Sequence, residues 1–174
     1  MSFDKQIAKN SAQRQIDTWQ RFGVYAAGLA LTEAGIAGNA ELLDHTDMII
    51  SASGGERDIA VDTAILTGMR KAQHPGAFLN EHLMSDLRPT LFLAQLPNML
   101  AGNISLVHGV VGASRTFLGE EAAGLDAVRI AQARIATGQS EVALVGGAYH
   151  GARWDAVSNS ELSGILLKRP FAPV

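Results

Sequence analysis

Asn98-Met99-Leu100-Ala101-Gly102-Asn103-Ile104-Ser105, then Gly112-Ala113-Ser114-Arg115-Thr116-Phe117-Leu118-Gly119-Glu120-Glu121-Ala122-Ala123-Gly124-Leu125-Asp126-Ala127, then Val142-Ala143-Leu144-Val145-Gly146-Gly147-Ala148: this stretch decides the fold. It reads as helix, strand, helix, strand. Pro97 suits the first turn of a helix running through Ser105. Gly102 inside it costs about 1 kcal/mol against alanine, which close approach of another backbone would justify. Ser114–Leu118 reads as a strand. Glu120–Ala136 reads as a helix with Leu125, Val128, Ala131 and Ile135 as its buried stripe, ended by Gly138. Glu141–Val145 is the next strand, followed by Gly146-Gly147. A tight turn at Gly119 therefore feeds two acids into the start of a helix.

Working outward, Arg14–Ala34 has apolar and small residues at spacings of three and four, including Ile16, Trp19, Gly23, Ala27 and Leu31. Gly35 stands where a helix C-cap glycine belongs. Residues 1–13 are polar and read as an arm or a frayed helix start. A short helix over Ala40–Asp44 precedes Met48–Ala52, a buried strand. A helix spans Glu56 to Lys71, and His74-Pro75-Gly76 breaks it. Phe78–Leu87 gives a turn or two of helix, and Ser160–Lys168 a last one. Apolar strands alternating with helices indicate an α/β fold with a largely buried sheet.

With 174 residues and 47% apolar side chains, the chain suffices for one domain with its own core. Net charge is −3 with the two signs interspersed, so no basic stripe points to nucleic acid or to an anionic membrane. There is no cysteine, which excludes disulfides, thiolate metal sites and a thiol nucleophile. No signal peptide and no membrane span are expected, and a soluble, cytoplasmic protein follows. The five histidines, at positions 45, 74, 82, 108 and 150, sit in no metal or catalytic spacing. The strand ending in Gly146-Gly147 superficially matches a dinucleotide-binding turn. It lacks the glycine spacing, the following ribose-binding acid and any Tyr-x-x-x-Lys.

The segment Asn98–Ser105 followed by Gly109 resembles the N-M-x-A-G-x-[IL]-[ST] motif of β-ketoacyl-ACP synthases. Gly112-Ala113-Ser114 resembles their G-P-[SNA] entry to the nucleophile strand. Val142–Ala148 resembles the strand after the nucleophile helix, and Arg169-Pro170-Phe171 the start of their R-P-F segment. Four matches in order, over roughly residues 14–171, imply the thiolase-like α/β fold, a mixed five-layer αβαβα architecture, of which this is mostly the first half. They imply one N-terminal ketosynthase domain over residues 1–174, incomplete at both ends. They also imply an acyl carrier protein as partner, no cofactor, and a dimer built across the strand near Arg115–Leu118.

Two departures bear on function. Counting from Gly112, the family's T-A-C falls on Gly119-Glu120-Glu121, so Glu121 occupies the nucleophile position. A carboxylate does not hold a growing acyl chain as a thioester. The family's two histidines and lysine belong beyond the R-P-F segment. The run from Glu120 to Ala127 further resembles the E-Q-A-G-G-L-D-A of chain-length factors, the cysteine-less partners of active ketosynthases. The expected function is thus a non-condensing homologue, homodimeric or paired with a cysteine-bearing ketosynthase, in fatty acid or polyketide synthesis. The alternatives are a malonyl-ACP decarboxylase, a degenerate 3-oxoacyl-ACP synthase completed by residues outside this chain, or a structural half-domain without activity. No catalytic or metal-binding residue is assigned. Phe92, Met99, Phe117, Glu120 and Glu121 are the candidates for an acyl pocket or dimer contact. Glu120 and Glu121 also fit a helix N-terminus, where an acid facing the dipole contributes about 0.3–1 kcal/mol without any chemistry. Met99 and Phe92 likewise fit a plain core.

Overall fold

The computed structural model describes residues 3, 6, 7, 16–55, 57–119 and 122–167. Its centre is β1 (Thr46–Ala52), flanked in parallel by β2 (Ser114–Leu118) and β3 (Val142–Ala148), in the order β2-β1-β3. Met48 pairs with Ser114 on one side and Leu144 on the other. β1 is buried along nearly its whole length, which is why it reads as an unbroken apolar run around Met48-Ile49-Ile50. Period-two alternation divides its side chains between two cores. Met48, Ile50 and Ala52 join the core beneath α1 (Thr18–Glu33) and α6 (Met99–His108), and Ile49 joins the one beneath α7 (Ala123–Ala136). The described layers are helix, sheet, helix, as the α/β reading expected.

α1 begins later than its periodicity suggested. Asp17 is its N-cap, and Asp17 with Gln20 forms a capping box. Gly23 lets α6 lie close: a Cβ there would be 2.5 Å from Leu100 Cδ1. α6 starts at Met99, two residues after Pro97, and ends at Gly109 in the left-handed region (φ 75°). Among the described residues no backbone approaches Gly102 as expected, for a Cβ there would meet nothing within 4 Å.

Of the buried stripe expected on α7, only Ala131 is buried. Leu125 is 75% exposed, and Val128 and Ile135 are also exposed. The buried stripe is Ala123, Ala127 and Ala131, whose small side chains let the helix axis sit close to Ile49. β3 runs on to Ala148, so Gly146 and Gly147 belong to the strand instead of following it.

Between β1 and α6 the chain makes a helical excursion. It comprises α3 (Ile59–Met69), α4 (Pro75–Ser85) and the five-residue α5 (Leu91–Gln95), while α2 (Ala40–Asp44) leads into β1. α3 ends at Met69, ahead of His74-Pro75-Gly76, and Pro75 instead starts α4 in its first turn. α8 (Trp154–Leu162) lies earlier than the helix expected over Ser160–Lys168; Gly164 at φ 71° follows it.

Gly112 abuts the start of β1, where a Cβ would stand 2.3 Å from the Thr46 carbonyl oxygen. Neither backbone can yield without disturbing the β1–β2 register. Gly112→Ala is therefore expected to cost about 1–3 kcal/mol, read as a lower urea midpoint.

Candidate functional site

In open parallel sheets, ligands gather outside the carboxyl ends of the strands. Here those ends are Ala52, Leu118 and Ala148, each followed by a loop. β2 passes to α7 through Gly119, whose missing Cβ would sit 2.9 Å from Ala123 Cβ. Glu120 and Glu121, the two acids expected in this turn, lie outside the described residues, as do Arg169-Pro170-Phe171. The loop after β3 is tied to the loop after β1 by Arg153, whose Nη1 donates to the Gly54 carbonyl at 3.1 Å. Arg153 also pairs with Asp155, and that hydrogen bond holds the Asp155 carboxyl below its ordinary range. His150 meets the Phe22 ring edge-on at 6.0 Å between centroids.

The candidate pocket residues do not form one cluster. Phe117 is half-buried against Ile49, Ala127 and Ala131, on the α7 face of the sheet. Phe92 is carried by α5 and is 66% exposed. Met99, at the start of α6, is half-buried. Phe92 and Met99 thus sit on successive helices, and Phe117 stands apart from them on β2.

Two buried side chains of α1, Trp19 and Gln20, hold α5 in place. Trp19 Nε1 donates to the Ala94 carbonyl at 3.3 Å, and Gln20 Nε2 donates to the Leu93 carbonyl at 3.3 Å. Gln20 Oε1 accepts from Asn103 Nδ2 at 3.1 Å and from the Asp17 N–H at 3.2 Å. The last carbonyls of any helix lack intrahelical partners, and α1 supplies two of them for α5. Gly55 packs against the same place: a Cβ there would be 1.8 Å from the Ala94 oxygen. The Asp17-x-x-Gln20 spacing is a visible capping-box signal. The contacts to Leu93, Ala94 and Asn103 have no local signature.

At the opposite, amino ends of the strands lies a polar recess of about 440 Å³ lined by Asp44, His45, Asp47, Ser140 and Glu141, among others. Its buried wall is an ion pair. Arg134 Nη2 and Nε donate to Asp47 Oδ2 at 2.8 and 3.1 Å, and Asp47 Oδ1 accepts the Ala113 N–H at 3.0 Å. Burial pushes the Asp47 carboxyl upward. The Arg134 guanidinium, the Ser140 hydroxyl and the Ala113 N–H together outweigh it and hold Asp47 below the usual carboxylate range. An apolar groove of about 210 Å³ runs between α1 and β3, with Gly23, Ala27, Leu144 and Gly147 in its lining. Among the described residues, no three histidine or acidic side chains are grouped to hold a metal ion. No helix among them is long and apolar enough to cross a membrane.

The sequence profile of the family described as Beta-ketoacyl synthase, N-terminal domain, matches residues 1–168. No curated protein sequence matches significantly. Among solved structures, a β-ketoacyl synthase from Burkholderia phymatum STM815 is similar at TM-score 0.68 and 22% identity, covering 89% of this chain and 35% of that one. A second is a chain of an assembly in which a type II polyketide synthase acyl-carrier protein is in complex with its ketosynthase bound to the hexaketide. It is similar at TM-score 0.70 and 21% identity, covering 94% of this chain and 44% of that one. The chain therefore spans less than half the length of either, and the fold it shares with them is thiolase-like.

Proposed function

The chain belongs to the β-ketoacyl synthase family through its N-terminal domain, and from that premise we propose that it is a non-condensing member, shaping the acyl channel of an active ketosynthase as chain-length factors do. One observation carries the reading: the nucleophile position holds Glu121. A thiolate takes the acyl group as a thioester and is then expelled from it, whereas a carboxylate does not hold an acyl chain as a thioester. Glu121 also argues against decarboxylation, since a negative side chain repels the malonyl carboxylate. The structural neighbour solved with an acyl-carrier protein supports such a carrier as the partner here. β2 supports pairing with a cysteine-bearing ketosynthase: it is an edge strand of the described sheet, and Arg115 and Leu118 on it are exposed. An edge strand offers free N–H and C=O groups to a second sheet. Phe92 and Met99 then face the channel from α5 and the start of α6, Phe117 lies by the paired strand, and the pathway is cytoplasmic fatty acid or polyketide synthesis.

Co-expression of the full chain with the cysteine-bearing ketosynthase encoded nearest to it is the test. A stable complex by light scattering is expected, and a chain that stays monomeric beside that partner would sink the reading. Malonyl-ACP incubated with the chain should release no more carbon dioxide than the carrier alone; clear release would establish a decarboxylase instead. Phe92→Ala should leave the complex assembled and shift its products to longer chains. The change expected in the product ratio is about tenfold, the discrimination a hydrophobic pocket exerts on one methylene.

A further inference from the structure

We propose that Trp19 and Gln20 are positioning residues that set acyl length by fixing α5, the helix that presents Phe92. The inference rests on the reading above that Phe92 lines the channel. α5 has five residues, too few to hold its own shape by intrahelical hydrogen bonding. It presents Phe92 and Leu93 outward while burying only Leu91 and Ala94. Besides those two buried side chains, its grip on the fold is the pair of donors arriving at the Leu93 and Ala94 carbonyls from α1. Both donors come from side chains only 1% exposed.

The amide orientation of Gln20 is fixed by its partners. A backbone carbonyl only accepts and a backbone N–H only donates, so Nε2 must face Leu93 and Oε1 must face Asp17. Gln20→Glu keeps the shape and the contact to Asn103, but turns a carboxylate oxygen onto the Leu93 carbonyl. Trp19→Phe keeps most of the ring volume and removes only the donor to Ala94. Trp19→Phe thus removes the side-chain donor to the Ala94 carbonyl, and Gln20→Glu leaves the Leu93 carbonyl with the Leu96 N–H at 3.4 Å.

The test has two readouts on the full chain. Hydrogen exchange over residues 91–96 should quicken about fivefold in each variant, the effect of one lost hydrogen bond on local opening. In complex with the ketosynthase partner, both variants should broaden product length toward that of Phe92→Ala. Gln20→Glu added to Phe92→Ala should then change it no further. The product ratio does not depend on how much protein is folded, so a merely structural role leaves it unmoved. Unchanged exchange over 91–96 overturns the proposal. So does a Phe92→Ala shift that neither Gln20→Glu nor Trp19→Phe reproduces. Faster exchange with no effect of Phe92→Ala on the products overturns the channel reading instead, and with it any role of these residues in acyl length.

Discussion

Asp47→Ala is expected to lower stability by about 3–5 kcal/mol, the cost of stranding one member of a buried ion pair. Arg134 would remain mostly buried, with Gln139 Oε1 at 3.3 Å as its remaining side-chain acceptor among the described residues, and the Ala113 N–H would lose its acceptor. Both losses act where β1, β2 and α7 meet. The urea midpoint should fall with little change in slope. Adding Arg134→Met should restore part of the loss, because the stranded cation goes with it. An unchanged midpoint in the single variant would refute this account of the pair. pH gives an independent arm. The folded pKa of Asp47 is depressed, so its stabilising contribution is complete above the unfolded value of about 3.9. It is lost as pH falls below that value and through the folded one. The stability gap between wild type and Asp47→Ala should therefore be constant near neutrality and close in acid below about pH 4.

Trp19→Ala is expected to cost about 3–5 kcal/mol, the range for truncating a large buried aromatic side chain. Trp19 is among the most completely buried large side chains, in the core shared by α1, α6 and β1. Its removal opens a void there and also frees the Ala94 carbonyl. Trp19→Phe should cost only about 1 kcal/mol by comparison, since it forfeits the hydrogen bond and little volume. Urea titration followed by circular dichroism separates the two. A Trp19→Ala chain as stable as Trp19→Phe would mean the core closes over the gap.

What the sequence disclosed follows the range of the interactions. β1 and β2 were legible because each is a short run bounded by breakers, and β2 was read at its observed limits. The ends of α1, α6 and α7 carry glycines in the left-handed region just beyond them, at Gly35, Gly109 and Gly138. The faces were harder. Along α7 the residues Leu125, Val128 and Ile135 and the residues Ala123, Ala127 and Ala131 both follow a helical period. Hydrophobicity favours the first set, and close packing of the helix on the sheet buries the second. In β3, Gly147 reads as a turn, yet it is in the strand because a Cβ there would stand 2.5 Å from the Ser51 carbonyl. α5 is too short for any period to show. The family motifs around Asn98–Ser105 and Val142–Ala148 were visible because each is local. The devices around them were not: Trp19 reaches Ala94, Gln20 reaches Asn103 and Arg134 reaches Asp47 across 75, 83 and 87 positions.

The order β2-β1-β3 also sets a timetable for folding. The central strand is the first of the three to be made, and both of its neighbours come after the helical excursion through α3, α4 and α5. No hairpin or adjacent strand can shelter β1 meanwhile. Every ladder bond it makes closes a long loop, as Met48 with Ser114 and Thr46 with Val142 show. Loop closure of that length delays the gain from pairing and slows folding. During synthesis, Met48-Ile49-Ile50 leaves the ribosome as an unpaired apolar strand well before its partners. Native pairing of β1 thus waits on Ser114–Leu118 and Val142–Ala148, both made after it.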